Sequence, residues 1–367
     1  MNHELRELRL AHPRPIALMA LGQQLRKQHS SEEAIWLLQQ LEMYWDALRL
    51  QAFRAPLELY FEGQALQMGS RWPLAERRAL ELQQRFPGVL LEIGAGIGGD
   101  SLELARTRAF RTIEQDELRR QYLQHNLLAS GFAEVEVSGG DGLDQLGSAE
   151  VVYADPARRN AKGRQWHDLT PDPTRLWSLG LPCCLKLSPG LEESSLPAGC
   201  DLDYVSHQGV CKEATVWTPG RGRVRAFMHR DSGWLVADRR EPPPLGPLEP
   251  GMWIHEPDPA AIRAQIWQPL EGWRVDETLA LLATEPGLSS EWTQSFEVLE
   301  IADADRKNLV RLQKKWDFQP LEIKKRGFEV EPEELRKKLP RGTAGGAGVL
   351  YLTRVAGRHR ALVCKRV

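Results

Sequence analysis

The chain has 367 residues, of which 42% are hydrophobic and 27% charged. That length predicts more than one core, and the composition is that of a globular chain, neither disordered nor fibrous. No run approaches the ~18 apolar residues of a membrane span, and the charged start MNHELRELRLAHPRP does not fit a secretory signal. Five cysteines, at 183, 184, 200, 211 and 364, lack CxxC spacing, so reduced thiols in a cytoplasmic setting and no metal centre are expected.

The net charge of −2 hides an asymmetry. From Ile301 to the end there are 17 Lys and Arg against 8 Asp and Glu, whereas the remainder carries 31 against 42. A basic segment on an acidic body suits a nucleic-acid partner, although a solvated basic surface has the same composition.

Residues 1–84 read as a helical region. Ser31-Glu32-Glu33-Ala34 opens a run over 35–50 with helical spacing, and Ser30 or Ser31 is its cap. A further helix over 74–85 ends at Phe86-Pro87-Gly88. The stretch Gln67-Met68-Gly69-Ser70 is a candidate cover for one side of a ligand pocket.

Residues 89–100, VLLEIGAGIGGD, follow as a short apolar strand, an acid, spaced glycines and the start of a helix at Ser101. Gly94 and Gly96 permit positive φ and remove Cβ atoms that would block a ligand's approach. The spacing of Gly94, Gly96 and Gly99 also satisfies the dinucleotide fingerprint G-x-G-x-x-G. Glu92 argues the other way: a carboxylate there suits a ligand's ammonium and repels a pyrophosphate.

A second strand, 110–114, ends in Glu114, twenty residues after Gly94, where a carboxylate can accept from ribose hydroxyls. Asp116 caps a helix over 117–128, and 133–138 alternates like a third strand before Gly139-Gly140-Asp141-Gly142. An acid in that loop can accept from an adenine amino group. A fourth strand, 151–154, ends in Asp155-Pro156-Ala157-Arg158.

In that order and spacing, ExGxGxGG, the strand-end Glu, GGDG and the strand ending in Asp-Pro resemble a class I methyltransferase dependent on S-adenosylmethionine (SAM), over roughly residues 85–240. The resemblance implies an α/β fold with a Rossmann-like sheet and SAM as cofactor. Its implied binding residues are Glu92, Gly94, Gly96, Gly98, Asp100, Glu114, Asp141 and Gly142, with Glu92 meeting the ammonium.

Methyltransferases acting on exocyclic amines of bases carry Asn, Asp or Ser, then Pro-Pro and an aromatic, at the end of the fourth strand. The side chain and a proline carbonyl accept from the amine, and the aromatic stacks on the base. Asp155 and Pro156 match; Ala157-Arg158 departs, leaving Arg158, Tyr153 or Trp166 to contact the base. The catalytic set is therefore Asp155, Pro156 and Arg158. The element is also similar to the Asp-Pro-Pro-Arg of RNA uridine C5-methyltransferases, which use a cysteine near the end of the next strand. Leu187 stands there, and Cys183 and Cys184 lie at that strand's start, so direct transfer without a cysteine adduct is expected. Residues 160–173, with Trp166, read as a candidate substrate lid. Lys186 and Glu213, in predicted strands, could act as base or pair with each other. Segments near 209–217 and 224–228 read as the antiparallel closing pair of the sheet.

Glu241-Pro242-Pro243-Pro244 opens a stiff linker and helical connector, 241–295, with helices expected over 258–266 and 275–282. Residues 296–367 then alternate in β-α-β-α-β-β order, a small α+β domain. Leu321 to Gly327, followed by Glu331 to Arg336, resembles the THUMP-like C-terminal domain of a group of bacterial class I methyltransferases. That resemblance implies an RNA partner, tRNA or rRNA, and with it nitrogen methylation of a base. A small-molecule or protein methyltransferase, or a non-catalytic SAM- and RNA-binding module, stays open, and the sequence does not give the oligomeric state.

Overall fold

The computed structural model describes residues 2–158, 166–267, 271–343 and 345–367. By contact density they fall into two compact units, 1–202 with 214–222, and 203–213 with 223–367. The expected helical region, 1–84, shares the first unit with part of the expected sheet region, whose residues 203–213 and 223–240 fall in the second, as does the Pro-rich stretch at 241–247.

The first unit opens with α1 (Asn2–Ala11), α2 (Leu18–Leu25) and α3 (Ser31–Leu50). Ser30 caps α3 in a reciprocal box, its hydroxyl accepting from Glu33 N–H while the Glu33 carboxylate accepts from Ser30 N–H. The wholly buried Arg9 of α1 donates to the carbonyls of Leu57 and Leu59 at 2.7 and 2.8 Å and to that of Gln40 at 3.2 Å. It lies against the rings of Tyr44 and Phe61, and burial lowers its pKa to about 10. This guanidinium fastens α1 to α3 and to the turn at 56–59. Two more helices follow, α4 (Gly63–Met68) and α5 (Trp72–Arg85), the latter with Pro73 in its first turn.

Four parallel strands come next: β1 (Leu90–Ile93), then α6 (Ser101–Thr107), β2 (Phe110–Ile113), α7 (Glu117–Ala129), β3 (Glu136–Ser138) and β4 (Val151–Ala154). A two-stranded ribbon, β5 (Ala157–Arg158) with β6 (Leu169–Thr170), precedes α8 (Pro173–Ser178) and β7 (Cys183–Leu187). Strand β1 pairs in parallel with both β2 and β4, and β4 with β7, giving the order β3-β2-β1-β4-β7. The direction of winding reverses between β1 and β4, so ligands are received beyond the ends of those two strands. All four residues of β1 are buried, as a central strand covered on both faces requires. The helical region is not a separate layer of packing: Leu37, Leu41 and Phe61 share one apolar cluster with Ala95, Ile97 and Leu123. Asn126 of α7 locks the two together, exchanging hydrogen bonds with Tyr60 N–H and C=O and donating to Ile97 C=O.

Beyond β7 the chain forms β8 (Asp201–His207), β9 (Val210–Thr218), β10 (Val224–Arg230) and β11 (Gly233–Asp238). Residues 214–218 of β9 run antiparallel to β7. The expected closing pair, 209–217 and 224–228, is not adjacent: β8 lies between β9 and β10, and β10 instead forms a hairpin with β11. The fully buried β8 has polar residues at 201, 203, 206 and 207, which masks its strand pattern in the sequence.

The second unit holds a seven-stranded sheet. Its elements are β12 (Trp253–Pro257), α9 (Pro259–Ala264), β13 (Trp273–Arg274), β14 (Leu282–Thr284), β15 (Thr293–Asp303), α10 (Arg306–Trp316), β16 (Leu321–Lys325), α11 (Pro332–Lys338), β17 (Gly348–Val355) and β18 (Arg358–Arg366). The order is β13-β14-β12-β15-β18-β17-β16. The β-α-β-α-β-β order expected for the C-terminal domain is present, extended by three strands from the connector. The helix expected over 275–282 does not form. Asp276 there accepts from Thr278 N–H and Gly357 N–H, turning the backbone out of the helical path.

Candidate cofactor and substrate site

A cavity opens beyond β1, β2 and β4. Gly94 and Gly96, both at positive φ (+82° and +59°), and Gly99 form one wall, and a Cβ at Gly96 would point into open space. Asp100, Glu114, Asp141, Gly142, Asp155 and Pro156 also line it. Seven residues of the helical region complete it, among them Phe53, Met68, Gly69 and Ser70, so the suspected cover over 67–70 supplies lining through three of its four residues.

Glu114 is held by the turn it faces: its Oε2 accepts from Gly96 N–H at 2.7 Å and its Oε1 from Asp116 N–H at 2.9 Å. Asp141 accepts from Leu143 N–H at 2.9 Å and is otherwise exposed. Gly142 is required by close packing, since a Cβ would come within 2.5 Å of the Ile93 side chain.

Two expected cofactor residues, Glu92 and Gly98, are not among the described lining. Glu92 is 1% exposed, and its Oε2 accepts from Ser101 Oγ at 2.6 Å and Thr112 Oγ1 at 2.8 Å. Burial, reinforced by Asp100 and Asp155 and only partly offset by those hydroxyls, pushes its pKa up to about 8. Gly98 serves packing: at φ +97°, its Cβ position lies 3.0 Å from Leu123 Cδ1. Arg158 ends β5, and its side chain lies outside the described residues, as do residues 160–165 of the expected lid.

Asp100 sits in a buried cluster that the sequence reading did not foresee. Arg78 of α5, 1% exposed, donates from Nη2 to Asp100 Oδ1 and, at 2.6 Å, to Ser70 Oγ. Ser70 Oγ in turn donates to Asp100 Oδ2 at 3.0 Å. Burial would raise the Asp100 pKa, but Arg78 and Lys186 outweigh it and hold the carboxyl below its ordinary value. The available signal was an arginine in the apolar stripe Leu74, Arg78, Leu82, at helical spacing.

On the substrate side, the Asp155 carboxylate accepts from Lys186 Nζ at 2.5 Å. Tyr153 does not reach this side: it is 1% exposed, within β4, beneath the Arg78 guanidinium. Trp166 is partly buried edge-to-face against Trp177 and is not among the lining residues. Cys183 is buried, bonded to Thr218 Oγ1, with its thiol pushed up to about 11, and Cys184 is fully buried.

A family profile described as THUMP domain-like matches residues 293–366. A protein found in two strains of Mycobacterium tuberculosis, described as an uncharacterized S-adenosylmethionine-dependent methyltransferase, is 30% identical over 298 residues, covering 76% of this chain and 80% of the relative. A solved structure from Porphyromonas gingivalis W83, a methyltransferase candidate, has the same fold over 92% of each chain, with a TM-score of 0.72 at 18% identity.

Proposed function

The chain belongs to a family of class I SAM-dependent methyltransferases with a THUMP-like C-terminal domain, and from that premise we propose that it methylates a base nitrogen in tRNA or rRNA by direct transfer. The cavity fits the cofactor by its donor set. The glycine turn leaves room against bare backbone; in this reading Glu114 accepts from ribose hydroxyls and Asp141 from an adenine amino group, both lining the cavity. Bound there, SAM supplies an electrophilic methyl group on a sulfonium.

The chain's own task is to present the nucleophile. Asp155, with Oδ2 taken by Lys186, offers its other oxygen to an amine hydrogen, and the Pro156 carbonyl is a second acceptor. Two acceptors on one amine turn its lone pair toward the cavity, and alignment is most of what this reaction needs. The proton leaving the nitrogen as the N–C bond forms is strongly acidic, so a carboxylate is base enough. The buried thiol of Cys183, with its raised pKa, supports transfer without a cysteine adduct.

RNA as substrate rests on one observation, the THUMP-like match falling on the basic end of the chain. Some of that charge is neutralised internally: Glu300 takes Arg311 and Lys315, and Glu256 takes Lys324 and Arg326. Among the described residues Arg336, Lys337, Lys338 and Arg341 are exposed and have no ion-pair partner, which suits phosphate contact. Mass spectrometry of nucleosides from tRNA and rRNA of cells lacking this protein tests the reading. A methylated base nitrogen should disappear and return with the wild-type chain but not with Asp155→Ala. An unchanged nucleoside profile would refute it.

A further inference from the structure

We propose that the amino-acid end of the cofactor is recognised by the Ser70–Arg78–Asp100 cluster, with Asp100 as the counter-charge of the ammonium, and that the N-terminal helical region is thereby part of the cofactor site. This rests on the cofactor and not on the identity of the methyl acceptor.

Three observations carry it. Asp100 and Ser70 line the cavity, whereas Glu92, the acid the motif favours for this role, does not. Glu92 is already engaged, with both Ser101 and Thr112 donating to one of its oxygens, and burial favours its uncharged form. A neutral carboxyl offers a cation little.

Asp100, in contrast, is kept charged although buried. Arg78 is nine-tenths and more buried, and its guanidinium reaches both Asp100 Oδ1 and Ser70 Oγ. Ser70 closes the triangle on Asp100 Oδ2. A carboxylate held by Arg78 on one oxygen and Ser70 on the other cannot rotate away, and it stays an acceptor at the cavity wall. Arg78 is a positioning residue in this arrangement, acting through Asp100. The backbone of Ser70 also passes within 3.9 Å of where a Cβ on Gly99 would lie, so the segment from outside the sheet closes directly over the glycine turn.

The test compares two ligands that differ only at this end. S-adenosylhomocysteine keeps the amino acid; 5′-methylthioadenosine lacks it. Calorimetry on the full chain should show Asp100→Asn weakening S-adenosylhomocysteine at least tenfold while 5′-methylthioadenosine changes less than twofold. Ser70→Ala, which removes only the bridging hydroxyl, should show the same selectivity at about threefold or more. It decides the matter if Asp100→Asn fails to fold. Glu92→Gln should affect both ligands alike. Equal losses for the two ligands in the Asp100 and Ser70 variants, undiminished S-adenosylhomocysteine affinity in them, or a selective loss with Glu92→Gln would each overturn the proposal.

Discussion

Lys186 Nζ and Asp155 Oδ2 meet at 2.5 Å, across two neighbouring parallel strand ends. The β4–β7 register explains the pairing: Ala154 stands opposite Leu185, so the next residues on each strand are neighbours as well. Lys186 is 11% exposed and Asp155 34%, so the lysine is the more enclosed partner and the carboxylate the one presented to the cavity. Sequence reading considered Glu213 as a partner for Lys186; the strand register adds Asp155.

Substitutions at two residues separate presentation from binding. Asp155→Ala should abolish methyl transfer while leaving SAM affinity within a few-fold. Lys186→Met should keep the carboxylate but release it, lowering turnover about 10- to 100-fold, less than the ~10²- to 10⁴-fold expected for outright loss of one acid–base group, because the carboxylate itself remains. Lys186→Arg, which keeps the cation, should recover part of the loss. Single-turnover transfer of a labelled methyl group into RNA from cells lacking the protein measures all three, and full activity in Asp155→Ala would remove that residue from the mechanism.

Gly96→Val addresses the cofactor wall. At φ +59° a β-branched residue is strained, and its side chain would extend into the space beside the cavity, where nothing now lies within 4 Å. Binding of SAM should fall below detection by calorimetry while the chain stays folded, because no neighbouring atom is displaced. Normal affinity in a folded Gly96→Val protein would place the cofactor elsewhere.

Glu92 gives a pH dependence whose sign is opposite to that of most carboxylates. Its folded pKa, about 8, lies above the ordinary 4.5, so between those values the folded chain holds a proton the unfolded chain releases. The stability this confers is present below pH 4.5 and lost as pH rises through 8. Glu92→Gln removes the titration while retaining a polar group for Ser101 and Thr112. Urea unfolding at pH 6 and pH 9 should find the variant gaining about 3 kcal/mol on the wild type between the two, from ~1.4 kcal/mol per unit of the interval. Parallel stability curves would mean that Glu92 is ionised throughout.

What the sequence disclosed and what it concealed have separate physical causes. Strand ends at Glu92, Glu114 and Asp155 and the loop acid Asp141 were legible because a parallel sheet places its chemistry at one edge, and each acid followed a short apolar run. The fate of Glu92 was not legible, since its removal from the cavity depends on hydroxyls 9 and 20 residues away. The Ser70–Arg78–Asp100 cluster was hidden for the same reason: only tertiary packing joins a loop, a helix and a glycine turn. At 275–282 apolar spacing suggested a helix, but the local bonds of Asp276 prevailed over it. Strand β8 was missed because its buried polar residues find their partners only in the folded chain. Asp203, for one, pairs with Arg225 through both oxygens.

The basic run at the end of α11 bears on the substrate. Phosphate contacts release counterions, so each one adds about 0.7 to 0.9 to the slope of log affinity against log salt. Arg336, Lys337 and Lys338 are exposed, close the helix at its C-terminal turn and bury nothing, so replacing all three by alanine should not unfold the domain. If they face RNA, the triple variant should bind bulk tRNA more weakly and with a slope smaller by roughly 2 to 3 units. SAM affinity should not change, because the described residues that line the cavity all precede 172. Filter binding across a salt series gives both numbers. A slope identical to that of the wild type would mean that these residues do not touch the nucleic acid. The excess charge of the C-terminal domain would then be a solvated surface, and the substrate would have to be sought among proteins or small molecules.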